Sequence, residues 1–197
     1  MLKVALTGGI ATGKSYVVAR LKDRGIPTIE ADDVVHDALG PGTPAAGAIA
    51  ARFGERYLKP DGSINRPLLG ALVFSDPDAR QQVEAILHPI VYDTIGQWFS
   101  KLNRAMGVAS IPLLYETGRE ADFDVVLATV CPPELQLQRL LERDRISQEE
   151  AVQRIAAQMP AEEKAARANF AILTGGTKAA TDHQVDDVLT ALRASLA

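Results

Sequence analysis

The sequence predicts an α/β protein: a three-layer sandwich whose five-stranded parallel sheet carries a helical insertion and a helical lid. Three observations carry this. Short apolar runs alternate with helical stretches at the start of the 197-residue chain and again through its second half. Residues 8–15, Gly-Gly-Ile-Ala-Thr-Gly-Lys-Ser, read G-x-x-x-x-G-K-S between a strand-like run and an apolar helix opening, the context a phosphate-binding loop (P-loop) requires. Between the second and third sheet runs lies a long block of different texture, rich in glycine, proline and short apolar segments.

The loop comes first. Val4-Ala5-Leu6 is the buried strand before it, and Tyr16, Val17, Val18, Ala19 and Leu21 open the helix after it. Glycines let successive backbone N–H groups turn inward as an anion nest, and the helix aims its positive end at the same point. Lys14 is placed to neutralise outer phosphates and the Ser15 hydroxyl to ligate Mg²⁺. A nucleotide triphosphate, with Mg²⁺, is the expected ligand, and Gly8, Gly9, Ile10, Ala11, Thr12, Gly13, Lys14, Ser15 and Tyr16 are the expected nucleotide-binding set.

The first helix should run to about Arg24, with Gly25 as its stop. Ile26–Ile29 is the second strand, ending in Glu30-Ala31-Asp32-Asp33. Ligands of open parallel sheets sit beyond the carboxyl ends of the strands, so this acidic cluster is a catalytic candidate. Its alternative use is to cap a helix starting near Val34. In an extended segment Glu30 and Asp32 share a face, leaving Asp33 to cap. Pro60-Asp61-Gly62 marks a turn and Asp76-Pro77-Asp78 a helix start. His88-Pro89 should break that helix, because a residue preceding proline avoids the α region; a second helix follows to about Asn103. Val108–Leu114 is the third strand, with Tyr115-Glu116 at its carboxyl end, and Asp124–Val130 is the fourth. Pro132 and Pro133 open a helix, and Ser147-x-x-Glu150 is a capping box opening another. These charged helices are either solvated surface carrying ion pairs or a lid presenting Arg139 and Arg143, four apart on one face, to phosphates. Phe170–Leu173 is the fifth strand and Val185–Leu196 the closing helix.

Composition narrows the classes. The net charge of −4 implies no general attraction to nucleic acid or acidic membranes. A single cysteine, Cys131, excludes an intrachain disulfide framework and fits a reducing compartment. No apolar run reaches membrane-span length, and the N-terminus enters a strand without a signal-peptide pattern. A cytoplasmic enzyme is expected, with no nucleic-acid or membrane partner and no signal of an oligomeric state.

With these motifs in hand, the chain resembles the dephospho-coenzyme A kinases almost end to end. Ala5–Ile10 through Gly13-Lys14-Ser15 is similar to that family's phosphate loop, and Ile29-Glu30-Ala31-Asp32 to its acidic motif. Leu87-His88-Pro89 and Pro112-Leu113-Leu114-Tyr115-Glu116 resemble blocks of its substrate side. Pro132–Leu137, Arg139, Arg143-Asp144 and Ala156-Ala157-Gln158 resemble its lid. The resemblance implies that ATP phosphorylates the ribose 3′-hydroxyl of dephospho-coenzyme A. It implies Asp32 as the base, Lys14, Arg139 and Arg143 as catalytic cations, and Asp32, His88, Leu114 and Glu116 on the substrate side. It also implies a nucleotide core of 1–36, 104–135 and 159–197, a coenzyme-binding insertion of 37–103 and a lid of 136–158. Ala11 stands where the family usually has glycine, Tyr16 replaces threonine, Glu30 an aspartate and His36 an arginine; Asn169 and Leu173-Thr174-Gly175 also depart from its pattern. Two other readings stay open on the residues alone. One is another small P-loop kinase, of a nucleoside monophosphate or a sugar, with Arg52, Arg56, Arg66 and Arg80 as an acceptor pocket. The other is a nucleotide-dependent sensor.

Overall fold

In the computed structural model, which describes residues 1–196, the chain forms two compact units, Met1–Ile29 with Leu102–Ala197, and Glu30–Lys101. Ala197, the last residue of the expected nucleotide core, lies outside the described residues.

The first unit is built on a five-stranded parallel sheet in the order β2-β3-β1-β4-β5. Its strands are β1 (Leu2–Gly8), β2 (Thr28–Glu30), β3 (Met106–Ser110), β4 (Val125–Val130) and β5 (Phe170–Leu173). β1 is central because it is apolar on both faces: Val4 to Gly8 are all buried. Val4 lies opposite Val108 and Val125, and Leu6 opposite Ser110 and Leu127. On one face, Val4, Leu6, Val108, Leu127 and Ile172 form a core with Val17, Val18 and Leu21 of α1 (Lys14–Asp23) and Val185, Val188, Leu189 and Leu192 of α9 (Lys178–Ala194). Truncating one such leucine to alanine costs roughly 2–5 kcal/mol. The alternate positions Ala5, Ala109 and Ala128 carry small buried side chains, which lets α8 (Ala161–Arg167) lie close against β1 and β4. α6 (Pro133–Asp144) and α7 (Gln148–Ala156) complete this unit.

α1 ends as expected at Gly25. Gly25 has φ +72°; its N–H bonds the Lys22 carbonyl and the Ile26 N–H the Leu21 carbonyl, the two bonds of a Schellman stop. The Asp76-Pro77 start also forms: the Asp76 carboxylate accepts from the N–H groups of Asp78 and Ala79 at 3.0 Å. Ser147 accepts from the Glu150 N–H at 3.1 Å, but the Glu150 carboxylate turns to Arg154 at 2.7 Å, so only half of the capping box forms.

The second unit holds α2 (Ala31–Ala38), α3 (Pro44–Phe53), α4 (Arg66–Ser75) and α5 (Pro77–Lys101) around Leu39, Ala46, Ile49, Tyr57, Ile64, Leu69, Val83 and Leu87. It starts at Glu30, earlier than the sequence-based boundary at 37, because α2 packs on α5.

Four expectations are corrected. His88-Pro89 does not end a helix; Pro89 lies inside the continuous α5. Proline removes one helical donor, but Leu87, Val91, Ile95 and Phe99, at i+4 spacing, stay buried along one stripe and hold the helix through it. The helix after β2 begins at Ala31, not near Val34, because Ala31 and Val34 are both on its buried side. Asp32 and Asp33 therefore sit in its first turn rather than in extended chain, and its N-cap, Glu30, makes no side-chain cap bond. β3 stops at Ser110, since Pro112 has no N–H for the ladder. From there the chain turns, with Thr117 N–H bonding the Leu113 carbonyl and Arg119 N–H that of Leu114. Finally, α9 starts at Lys178, well before Val185. The hydroxyl of Thr177 caps it, accepting from Ala180 N–H at 3.1 Å.

Candidate active site

β1 and α1 place the loop. β1 ends at Gly8, α1 opens at Lys14, and 9–13 form the turn between them. The N–H groups of Lys14 and Ser15 precede the first intrahelical donor, Tyr16, which bonds the Gly13 carbonyl at 3.0 Å. They lie at the positive end of α1, the part of a helix that favours phosphate. Gly13 is glycine for two reasons: its φ is +88°, and a Cβ there would lie 3.1 Å from the Thr174 side chain. Ala11 occupies the same left-handed region at φ +59° although it carries a Cβ.

A layer of hydroxyls beneath the loop holds this shape. Thr12 and Thr129 are fully buried. The Thr12 hydroxyl donates to the Gly9 carbonyl at 2.8 Å and lies 2.7 Å from the Thr129 hydroxyl. The buried Thr174 hydroxyl donates to the Thr12 carbonyl at 2.6 Å. It accepts in turn from the Arg139 guanidinium at 3.2 Å, which also donates to the Thr174 carbonyl at 2.7 Å. Arg139, on α6, is thus one hydroxyl away from the loop. Lys14 Nζ reaches the buried Ser110 hydroxyl at the end of β3, at 3.3 Å.

Other expected site residues are placed differently. Ser15 is exposed in the first turn of α1, while the Tyr16 hydroxyl donates to Asp182 on α9 at 2.9 Å. Arg143 is turned onto Asp144, with contacts of 2.7 and 3.2 Å, and Arg154 reaches the same carboxylate at 3.0 Å. These bonds hold the Asp144 carboxyl below its usual range and the Arg143 guanidinium above its own. Leu114 is fully buried in the turn after β3. Glu116 accepts from Lys164 Nζ at 2.7 Å and from Met159 N–H at 2.9 Å. In the second unit, Asp32 is exposed in the first turn of α2 and His88 is half-buried in the middle of α5.

The four arginines of that unit do not converge on one acceptor pocket. Arg52 bonds Gln82, Arg56 lies over the Tyr57 ring, Arg66 pairs with His36 and Arg80 with Glu84. The unit also has a mostly apolar cavity of about 360 Å³ lined by Val34, Ala38, Pro44, Ala45 and Ile90, with Asp37, Thr43 and Thr94 as its polar members. Burial pushes the Cys131 thiol up, which keeps it protonated and a poor nucleophile. Among the described residues no three His, Cys, Asp or Glu side chains come together as a metal cage, and no helix is long and apolar enough to cross a membrane.

Sequence reasoning gave no role to three residues beside the loop and the turn after β3, although two of them lie in the blocks that resemble the lid. Gln136 and Gln158, from α6 and the segment after α7, bond the carbonyl and the N–H of Ile10, each at 2.8 Å. Lys164 looks like one charge of a solvated helix, yet it is fully buried and bonds the Pro112 carbonyl at 2.6 Å as well as Glu116. Neutral amides carry no periodic signal; for Lys164, the alanines beside it in α8 were the only hint of a buried face.

The family model described as Dephospho-CoA kinase matches residues 2–179. The Dephospho-CoA kinase of Anaeromyxobacter dehalogenans is 43% identical over 196 residues, covering 98% of this chain and 93% of the relative. Among solved structures, a Thermus thermophilus protein superposes with a TM-score of 0.79 at 31% identity, covering 100% of this chain and 98% of its own. The dephospho-CoA kinase of Campylobacter jejuni superposes at 0.71 with 29% identity, covering 96% of each chain.

Proposed function

The chain belongs to the dephospho-CoA kinase family, and from that premise we propose a division of labour for its residues. The reaction it catalyses is transfer of the γ-phosphoryl group of ATP to the ribose 3′-hydroxyl of dephospho-coenzyme A, giving coenzyme A and ADP in the last step of coenzyme A synthesis. ATP lies on the loop Gly8–Tyr16, with the N–H groups that open α1 on its phosphates. Lys14 and, from the 136–158 lid, Arg139 and Arg143 neutralise the charge that spreads over the transferring group. Asp32 accepts the proton of the 3′-hydroxyl. The Glu30–Lys101 unit binds the acceptor, its apolar cavity suiting the uncharged arm of the coenzyme, with His88 on that side. Lys164 and Glu116 fix the turn after β3.

The donor set fits a cation that arrives with the nucleotide: Ser15 offers one exposed hydroxyl in the first turn after the loop, and Mg²⁺ in such sites takes its remaining ligands from phosphates and water. When bound, Mg²⁺ supplies charge neutralisation between the outer phosphates. The cytoplasm is the compartment this reading assigns.

One observation supports the proposal: the loop runs from the end of β1 into α1, with Lys14 Nζ reaching Ser110 at 3.3 Å and Arg139 joined to the loop through the Thr174 hydroxyl. The test is incubation with Mg²⁺–ATP and, separately, dephospho-coenzyme A, a nucleoside monophosphate and a sugar acceptor, followed by phosphorus NMR. Phosphorylation of dephospho-coenzyme A at the 3′ position is expected. Transfer to another acceptor alone would make it a different P-loop kinase, and ATP binding without transfer to any acceptor would make it a sensor.

A further inference from the structure

We infer that Gln136 and Gln158 are positioning residues that set the phosphate loop through the two peptide planes of Ile10 and tie both ends of the lid to it. The inference rests on the reading of 136–158 as a lid. Gln136 lies near the start of α6 and is buried; Gln158 follows α7 and is half-buried. Their side chains meet at one residue. Gln158 Oε1 accepts from the Ile10 N–H at 2.8 Å, and Gln136 Nε2 donates to the Ile10 carbonyl at 2.8 Å.

Those two groups belong to successive peptides, so the pair fixes the plane on each side of Ile10. The second of these peptides carries the nitrogen of Ala11, whose left-handed φ of +59° is the strained torsion of the loop. Such a conformation persists only where its surroundings over-determine it, and the Gln136 bond is what holds that plane. A third observation agrees: a Cβ on Gly9 would lie 2.9 Å from Gln136 Nε2, so this amide sits directly on the loop. The Ile10 N–H, facing Gln158, is not among the donors aimed at phosphate. The two bonds thus join both ends of 136–158 to a single residue of the loop.

The bonds have opposite polarity, which gives a sharp test. Gln158→Glu keeps an acceptor for the Ile10 N–H. Gln136→Glu replaces a donor with an oxygen facing the Ile10 carbonyl. Gln158→Leu removes the acceptor. Folding of each variant is checked by circular dichroism, and amide exchange at Ile10 and across 136–158 is followed by NMR without nucleotide. In Gln158→Glu the Ile10 amide should exchange as slowly as in the wild type, in a state with no phosphate for the new charge to repel. Gln158→Leu should expose it, speeding exchange by at least about tenfold. Gln136→Glu should loosen 136–158, speeding amide exchange there by at least about tenfold without nucleotide, where no phosphate meets the new charge. Equal Ile10 exchange in Gln158→Leu and wild type, or wild-type exchange across 136–158 in Gln136→Glu, overturns the inference. A wild-type protein that phosphorylates no dephospho-coenzyme A would instead sink the functional reading, and the exchange pattern would still decide the clamp.

Discussion

Arg139 and Thr174 are joined twice, guanidinium to carbonyl at 2.7 Å and to hydroxyl at 3.2 Å, and that hydroxyl continues to the Thr12 carbonyl at 2.6 Å. A charged donor polarises the hydroxyl and strengthens its bond to the loop. Position 174 departs from the pattern of the family the chain resembles, yet it links α6 to the phosphate loop. Thr174→Val keeps the shape and removes the hydroxyl, leaving a buried carbonyl on Thr12, at a cost of ~1–3 kcal/mol. We expect lowered stability and weaker ATP binding in Thr174→Val, with both recovered in Thr174→Ser. Wild-type melting and ATP affinity in the valine variant would show that the relay does not hold the loop.

Ala11 offers a gain rather than a loss. A residue with a Cβ in the left-handed region is strained by ~1–2 kcal/mol, whereas glycine there raises the entropy of the unfolded chain by an amount worth ~0.4–1 kcal/mol. The first effect is the larger, so Ala11→Gly should stabilise the protein by up to ~1 kcal/mol, a rise of about 2–4 °C in melting temperature for a chain of this size. Ala11→Val should melt lower, since a β-branched side chain is worse still at positive φ. A glycine variant that melts below the wild type would mean that the loop carries no strain at this residue.

The junction of α6 and α7 should respond to acid. Asp144 accepts from Arg143 and Arg154, and the Arg143 bond above all holds its carboxyl below the usual range. A carboxyl depressed in the folded state stabilises above its unfolded value, near 4, and that stabilisation disappears as pH falls through the lower folded value. At neutral pH the cluster is intact; in acid Arg143 loses the carboxylate it is turned onto and Arg154 one of the two it bonds. Each exposed pair is worth ~0.2–1 kcal/mol, so the effect is local. Amide exchange at 143–154 should quicken on going from pH 6 to below the folded value in the wild type, beyond its intrinsic pH dependence. It should be already fast and lack that extra step in Asp144→Asn. Identical profiles would mean that Asp144 does not hold the junction of α6 and α7. The same variant frees Arg143, which is otherwise committed to Asp144.

Much of this was legible in the chain. The glycine spacing before Lys14 dictates the loop because few other residue types allow its backbone, and the apolar runs of β1 and β4 could hardly be anything but buried strands. Local rules failed where tertiary burial outweighed them. Pro89 should have ended a helix, but the buried stripe from Leu87 to Phe99 carries α5 past it. The hidden part of the site is polar and non-periodic: Gln136, Gln158 and Thr174 act through backbone groups brought together only by folding. Nothing local marks Lys164 as buried, because its partners, Glu116 and the Pro112 carbonyl, lie far away in sequence.

The acids after β2 decide the base. A ribose hydroxyl is a weak nucleophile, and a carboxylate within hydrogen-bond reach can orient it and take its proton. Extended geometry would have paired Glu30 with Asp32 and left Asp33 to cap; the helix changes that argument. Asp32 and Asp33 are consecutive in the first turn of α2, both exposed, and neither is the N-cap. Successive helical residues point about 100° apart, so a single hydroxyl meets one of them and not both. Asp32 occupies the position matching the family's acidic motif. Asp32→Asn keeps size and a hydrogen-bonding group but removes the proton acceptor, and it should lower kcat by ~10²–10⁴-fold, with ATP and dephospho-coenzyme A still bound. Asp33→Asn removes only a favourable charge at a helix start, ~0.3–1 kcal/mol of stability, and should keep its turnover. An inactive Asp33→Asn beside an active Asp32→Asn would move the base one residue along the helix, and full activity in both would move it off α2 altogether.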